Sequence, residues 1–422
     1  MRNQNYPFLR LSSVLHACAL AMPLLAANAA CAADDPDTPL WTFGGFGSVG
    51  VVHSNYREAD YVSSAFKGDG AGATHAWSTS LDSRIGAQLD VKLDKRWSGV
   101  LQVVVEQRYD RSWQPQLEWA NIKYQATPDL ALRAGRIALP IFLAADYRKI
   151  GFAYPWARTP VEFYGAIPIT SSDGVDAAYR WRAFGAKHTT QAFYGRTDIH
   201  LTDTTSAHAR AIAGLTHSVE VGATTVRVSA YTAMLNLNVV RELFDGFRQF
   251  GPQGVAIADK YDVVDKRTTG MAIGFNYDPG QWFLMAEAGI MNGHSYLAKT
   301  ANKYISAGYR AGAFTPYLTY ARVDARSPTV DPGLSLAGLP PPYAAAATAL
   351  NANLATLLKA IPSQSTISAG VRWDLRPNMA LKFQFDRVRG RDGSRGSLVN
   401  VQPGFAPGHP VSVTSAVLDF VF

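Results

Sequence analysis

The last twelve residues, Val411 to Phe422 (VSVTSAVLDFVF), alternate with a period of two. Reading back from the end, Phe422, Phe420, Leu418 and Ala416 fall on one side of an extended chain, and Val421, Asp419, Val417 and Ser415 on the other. One apolar face ending on aromatic rings suits a strand against lipid. Phe420 and Phe422 would then close a sheet, with Phe422 at the interface where aromatic girdles collect. The final strand of a soluble sandwich would show the same alternation, so the rest of the chain has to separate the two.

The period recurs along most of the sequence. From Leu81 to Leu93, Leu81, Ile85, Ala87, Leu89, Val91 and Leu93 share one face, and Asp82, Arg84, Gln88, Asp90 and Lys92 the other. After Asp94-Lys95-Arg96, the next stretch sets Trp97, Leu101, Val103, Val105 and Tyr109 against Ser98, Gln102, Glu106 and Arg108. Soluble sheets rarely begin or end so many strands with Trp or Tyr on the apolar face. Such segments predict about sixteen strands, near 41–52, 79–93, 97–109, 115–125, 130–137, 174–183, 187–196, 206–218, 224–236, 267–278, 281–291, 301–310, 315–324, 364–375, 380–388 and 411–422. Short turns at 94–96, 126–129, 184–186, 219–223, 278–280, 311–314 and 376–379 contrast with long loops at 53–78, 138–173, 237–266, 325–363 and 389–410. An even strand number with short turns on one side and long loops on the other predicts an all-β transmembrane, antiparallel up-and-down barrel, both termini on the short-turn side.

Residues 1–32 read as a secretory leader: Arg2 and Arg10 give the positive region, Leu11 to Leu25 the apolar region, and small residues follow. Cleavage is expected after Ala32, leaving a barrel domain over 33–422; Ala27-Asn28-Ala29 is the other possible site, and Asn28 argues against a lipoprotein cut before Cys31. Both cysteines, Cys18 and Cys31, fall in this leader, so no disulfide framework is expected. The formal charge of +7 becomes 38 basic against 33 acidic residues without the leader, which is no nucleic-acid footprint. The uncharged run from Pro332 to Leu358 is broken by Pro340, Pro341 and Pro342, then by Asn351 and Asn353; its second half, 343–359, predicts a loop helix. With no stretch of ~20 apolar residues, strands are the remaining way across a bilayer.

The leader, the strand count, the terminal Phe422, Gly135-Arg136 at the end of the fifth strand, the long loop after it and the hairpin Trp373 to Gln384 together resemble a Gram-negative outer-membrane porin of the sixteen-stranded, trimeric, general-diffusion type. The resemblance covers essentially all of the chain after the leader. It implies a homotrimer, and a third long loop folded inward as a constriction. Here that loop carries Phe142, Asp146, Tyr147, Arg148, Lys149, Phe152, Tyr154, Trp156, Arg158, Glu162, Phe163 and Tyr164. The family's usual acidic cluster is thin on it. Its aromatics either pin the loop to the wall, as a loop at membrane depth requires, or line a constriction that favours solutes with an apolar body.

Inward positions read as basic are Arg84, Lys92, Arg108, Arg180, Arg182, Arg210, Arg227, Arg372 and Lys382; the acidic ones are Asp82, Asp90, Glu106, Asp176, Glu287, Asp374 and Asp386. Arg133 and Arg136, at the foot of the loop, are expected to add basic charge at the constriction. A narrow pore focuses even a small excess of one sign, which predicts a slight anion preference at most.

Gly45-Phe46-Gly47-Ser48-Val49-Gly50 has dinucleotide-fingerprint spacing but lies inside a predicted strand, where no helix N-terminus can hold a pyrophosphate. The arginines of 387–395 would meet phosphates of lipopolysaccharide at the outer rim or simply stay solvated. No metal spacing and no G-x-S-x-G occur, so no cofactor, metal site or catalytic residue is expected. The expected function is passive diffusion of small hydrophilic solutes and ions across the Gram-negative outer membrane. The alternatives are a channel selective for small anionic or aromatic acids, or a barrel enzyme or adhesin.

Overall fold

The computed structural model describes residues 40–422, so the leader expected over 1–32 lies outside the described residues. Trp41 to Phe422 form one compact unit. Its long strands are β1 (Trp41–Ser54), β2 (Arg84–Lys92), β3 (Trp97–Glu106), β4 (Gln116–Gln125), β5 (Leu130–Ala138), β6 (Ser171–Ala183), β7 (Ala186–His200), β8 (Ser206–Val221), β9 (Thr224–Leu237), β10 (Lys266–Tyr277), β11 (Trp282–Gly293), β12 (Lys299–Tyr309), β13 (Phe314–Ala325), β14 (Gln364–Arg376), β15 (Met379–Gly390) and β16 (Pro410–Val421). Each pairs antiparallel with the next, and β1 pairs with both β2 and β16. Register from Phe46↔Val421 to Ser54↔Val413 closes the barrel and removes both sheet edges.

Turn chemistry explains the tight side. Asp94 accepts the backbone N–H of Arg96 (2.6 Å) and Trp97 (2.7 Å), fixing the β2–β3 turn. Phe184 and Gly185 both take positive φ (51° and 74°) in the two-residue β6–β7 turn, the geometry that matches strand twist. Outside, Ile85, Leu101, Ile122, Ile273, Leu318 and Ile367 stay exposed in an apolar band. Near the short turns, Trp97 with Tyr124, Tyr277 with Trp282 and Phe314 with Trp373 pair at 4.6, 5.0 and 5.4 Å between centroids, forming an aromatic girdle.

One bulge alters the expected faces. Register slips in β8 between Arg210 and Ala213, where Ala211 sits at φ 49°. An extra residue inverts side-chain parity beyond it. Arg210, expected inside, therefore faces outward and bonds Asp265 at 2.6 Å.

The long loops carry the helices. After the short α1 (Val161–Tyr164), α2 (Arg241–Arg248) and α3 (Gly251–Tyr261) follow β9, and α4 (Pro341–Leu358) follows β13. The helix expected at 343–359 is α4; the pair in 237–266 was missed. Phe244, Phe247, Ile257, Leu354 and Leu358 join these helices in a cluster separate from that of the inward loop. No helix among the described residues is long and apolar enough to cross a membrane.

Candidate functional site

Residues 139–170, between β5 and β6, run inside the barrel along the inner faces of β9 to β16. An irregular backbone at this depth has no water on its wall side, so the wall must satisfy it. Ser229 donates to Ile141 O (2.8 Å) and Arg227 to Phe142 O (2.6 Å). Lys382 Nζ donates to the carbonyls of Gly151 (2.7 Å), Tyr154 (2.7 Å) and Trp156 (2.9 Å) and pairs with Asp419 at 2.8 Å. Arg372 donates to Phe152 O at 2.6 Å and lies over the Phe152 ring. Gly151 permits the closest approach: a Cβ there would sit 2.2 Å from Asp419 Oδ1 and 2.6 Å from Ser48 Oγ.

Loop side chains answer in kind. Arg158 is buried and forks onto Asp82 (3.1 and 2.6 Å), reaches Asp386 at 2.7 Å, and also donates to Ser415. Burial opposes its charge, but Asp82, Tyr61 and Asp386 prevail and hold its pKa well above the usual value. Glu162 has no cation; it accepts from Gln364 (2.6 Å) and Thr366, and burial pushes its carboxyl up. Glu287 likewise accepts Leu143 N–H (2.9 Å), Tyr304 OH (2.9 Å) and Tyr164 OH. Trp156 donates to Ser306 at 2.8 Å, and Phe142, Tyr154, Phe163 and Tyr164 pack with wall residues Phe283, Tyr304 and Tyr317.

The expected site residues therefore divide. Phe142, Tyr154, Trp156, Arg158 and Glu162 are buried fasteners and do not line open space. Lys382 is fully buried among loop carbonyls, so its charge is spent on the anchor. Asp146, Tyr147, Arg148 and Lys149 stay partly accessible on the loop. Arg148 donates to Ile167 O and Tyr164 O, and Lys149 crosses to Glu106 on β3. Arg136 is misplaced in the sequence reading: Arg133 and Ile137 point inward, so Arg136 points outward, where it pairs with Asp173 at 2.7 Å. Arg108 lies just beyond the end of β3 and braces the rim through Gln114 and His200 O.

Basic charge left facing water collects on the opposite wall. Arg133 holds Asp176 through Nε (3.0 and 2.9 Å) and Nη2 (2.7 Å), with Asp146 of the loop as a second acidic neighbour. Lys123 lies directly opposite Arg133, close to Arg180, while Arg182 pairs in register with Lys187. Lys123, Arg180 and Arg182 have no side-chain hydrogen bond or ion pair among the described residues. Lys123 escaped the sequence reading, although its alternation with Ile122 and Tyr124 could have revealed it. Nearer the rim, Glu106 is surrounded by Lys149, Lys67 and Arg84. Lys67 comes from the first long loop and donates to Gln107 O at 2.7 Å; no local signal marks it. Burial, against the pull of Glu106, brings its pKa down to about 8.

A family model described as Gram-negative porin matches residues 17–397. The chain is similar in structure to an anion-selective porin from Comamonas acidovorans (12% identity, 90% of this chain and 99% of that one, TM-score 0.53). It is also similar to Salmonella typhi OmpF in complex with daunomycin (13%, 90% and 97%, 0.54) and to in-vitro folded OmpT of Vibrio cholerae in its trimer form (11%, 91% and 100%, 0.51). No curated protein matches the sequence.

Proposed function

Since the chain belongs to the Gram-negative porin family and is an outer-membrane channel for passive diffusion, we propose that solutes pass between the inward loop and the inner wall of β4 to β7, with a slight preference for anions. The observation that carries this reading is the asymmetry of the lumen. One side is sealed by an anchored loop whose charges are mostly paired; the other shows Lys123, Arg180 and Arg182, which make no direct side-chain ion pair or hydrogen bond among the described residues. In a low-dielectric channel such an excess raises the local concentration of anions. Small hydrophilic solutes are the cargo and nothing is turned over. Phe142, Tyr154, Trp156, Phe163 and Tyr164 are buried against the wall, which weakens the support for selection of aromatic acids. Export by the leader over 1–32, a barrel domain over 33–422 and assembly as a homotrimer complete the proposal.

Planar-bilayer recording tests it. Stepwise ohmic openings are expected, with a reversal potential in a salt gradient on the anion side. Absence of conductance overturns the channel reading, and a cation-side potential overturns the preference.

A further inference from the structure

On the side of the long loops, three polar residues of β7 and β8 are linked on the outer face of the barrel. His208 Nδ1 lies 2.7 Å from Oδ1 of Asp198, its direct cross-strand partner. His208 Nε2 lies 3.1 Å from Ser206 Oγ, two residues along the same strand. An ionised carboxylate only accepts, so Nδ1 carries the ring proton and donates to Asp198. Nε2 keeps its lone pair and accepts the Ser206 hydroxyl. A hydroxyl nucleophile, a general base and a carboxylate that fixes the tautomer of the base are thus in sequence, an arrangement defined by geometry and independent of G-x-S-x-G. Asn236 stands directly opposite His208 on β9, and its side-chain amide has no hydrogen bond among the described residues. Cross-strand neighbours stand roughly 5 Å apart at Cβ, so this amide offers a donor to an oxyanion formed beside Ser206.

The bulge at Ala211 aims the group. Below it Ala213, Leu215 and Val221 face outward, and the extra residue gives Ser206 and His208 the outward face of Asp198 and Tyr194. Without it both would point into the lumen, away from Asp198. At the usual rise and tilt, His208 stands roughly 30 Å above Val221 and roughly 10 Å above Ala213. An apolar band is about 25 Å tall, so the group lies at its upper border. There the acyl chains of an outer-leaflet lipid join its headgroup through ester bonds. Directly below, Ala213 and Ala230 are small residues among the larger Tyr194, Leu215 and Met271 of the same face, which suits an acyl chain lying against the wall.

We propose that Ser206, His208 and Asp198 form a hydrolytic site for carboxylic esters, with an acyl ester of an outer-leaflet lipid as substrate. Ser206 Oγ attacks the carbonyl carbon while its proton passes to His208 Nε2. The oxyanion collapses, the bond from the acyl carbon to the alkoxy oxygen breaks, and the leaving alcohol takes the proton from Nε2. Water then gives a proton to Nε2 and attacks the acyl-serine; carboxylic acid leaves and Oγ recovers its proton. The site rests on the outer-membrane placement, and solutes crossing the lumen are not its substrate. The full protein in detergent micelles would be given phosphatidylglycerol or p-nitrophenyl butyrate, and separately a fluorophosphonate. One label on Ser206, found by mass spectrometry, and release of fatty acid are expected. Ser206→Ala, His208→Gln and Asp198→Asn should each lower release by about a hundredfold or more. Absence of the label, or release that persists in Ser206→Ala, overturns the site. The phospholipid should be cleaved faster than the butyrate ester; the reverse order overturns the lipid as substrate. Conductance of the three variants should stay at the wild-type value, which shows a folded barrel and separates failure of this site from failure of the channel reading.

Discussion

Arg158 shows how much one side chain of this loop can hold. It is a buried cation between two buried carboxylates, Asp82 and Asp386. Such a triad contributes little net stability as a whole, yet removing one member strands the others without water. Arg158→Ala should therefore cost about 3–5 kcal/mol, read as a fall in melting temperature together with noisier, larger single-channel currents. An unchanged melt would show that the two aspartates find other partners. Lys67 provides a pH signature. With its pKa lowered to about 8 by burial, it is charged below that pH and neutral above. The positive charge around Glu106 then drops as pH rises through this point, and anion preference should fall in parallel. Lys67→Met should start from the lower preference and show no such step; a step that survives belongs to another group.

At the scale of elements, the inward loop is the working part. Trp156, Tyr164 and Phe163 are buried side chains that hold it to the wall. Deleting 142–164 should raise single-channel conductance severalfold while the barrel still closes, because the β1–β16 seam is held by its own backbone pairing from Phe46↔Val421 to Ser54↔Val413. Equal conductance would place the narrowest point elsewhere. The helices α2, α3 and α4 form an element of their own. Phe247→Ala removes a fully buried ring of their cluster and should cost about 3–5 kcal/mol locally. The readout is new protease cuts in 237–266 and 325–363, with the barrel resistant; no new cuts would mean the helices are held by something other than this core.

For the whole molecule, selectivity is a sum over both walls of the lumen, and no single charge sets it. Neutralising Lys123, Arg180 and Arg182 together as Gln leaves the loop anchors untouched, since none of the three contacts the loop. Reversal potential should move toward cations, with an effect that shrinks as salt rises and the Debye length falls below the pore radius. A shift independent of salt would point to a change in pore shape.

The strands were legible because their cause is local. Alternation follows from the two-residue period of an extended chain, and turn residues such as Asp94 and Gly185 act within their own few residues. All sixteen predicted strands have counterparts, and Val411 to Phe422 closes the barrel against β1. The charges were legible only in part, because a face is inherited along a strand and one extra residue inverts it. The bulge at Ala211 turned Arg210 outward, and the inward reading of Arg136 fails against the continuous parity from Arg133 to Ile137. What only the tertiary structure decided is the use of each inward or loop charge. Lys382, Arg158 and Glu162 look in sequence like pore groups, yet a chain entering the barrel needs its backbone and buried charges satisfied by the wall, and these residues are consumed in doing so. The sequence by itself determined the barrel, the membrane it suits and where it closes. Long-range pairing between a loop and strands far away in sequence decided which cations remain for a passing solute.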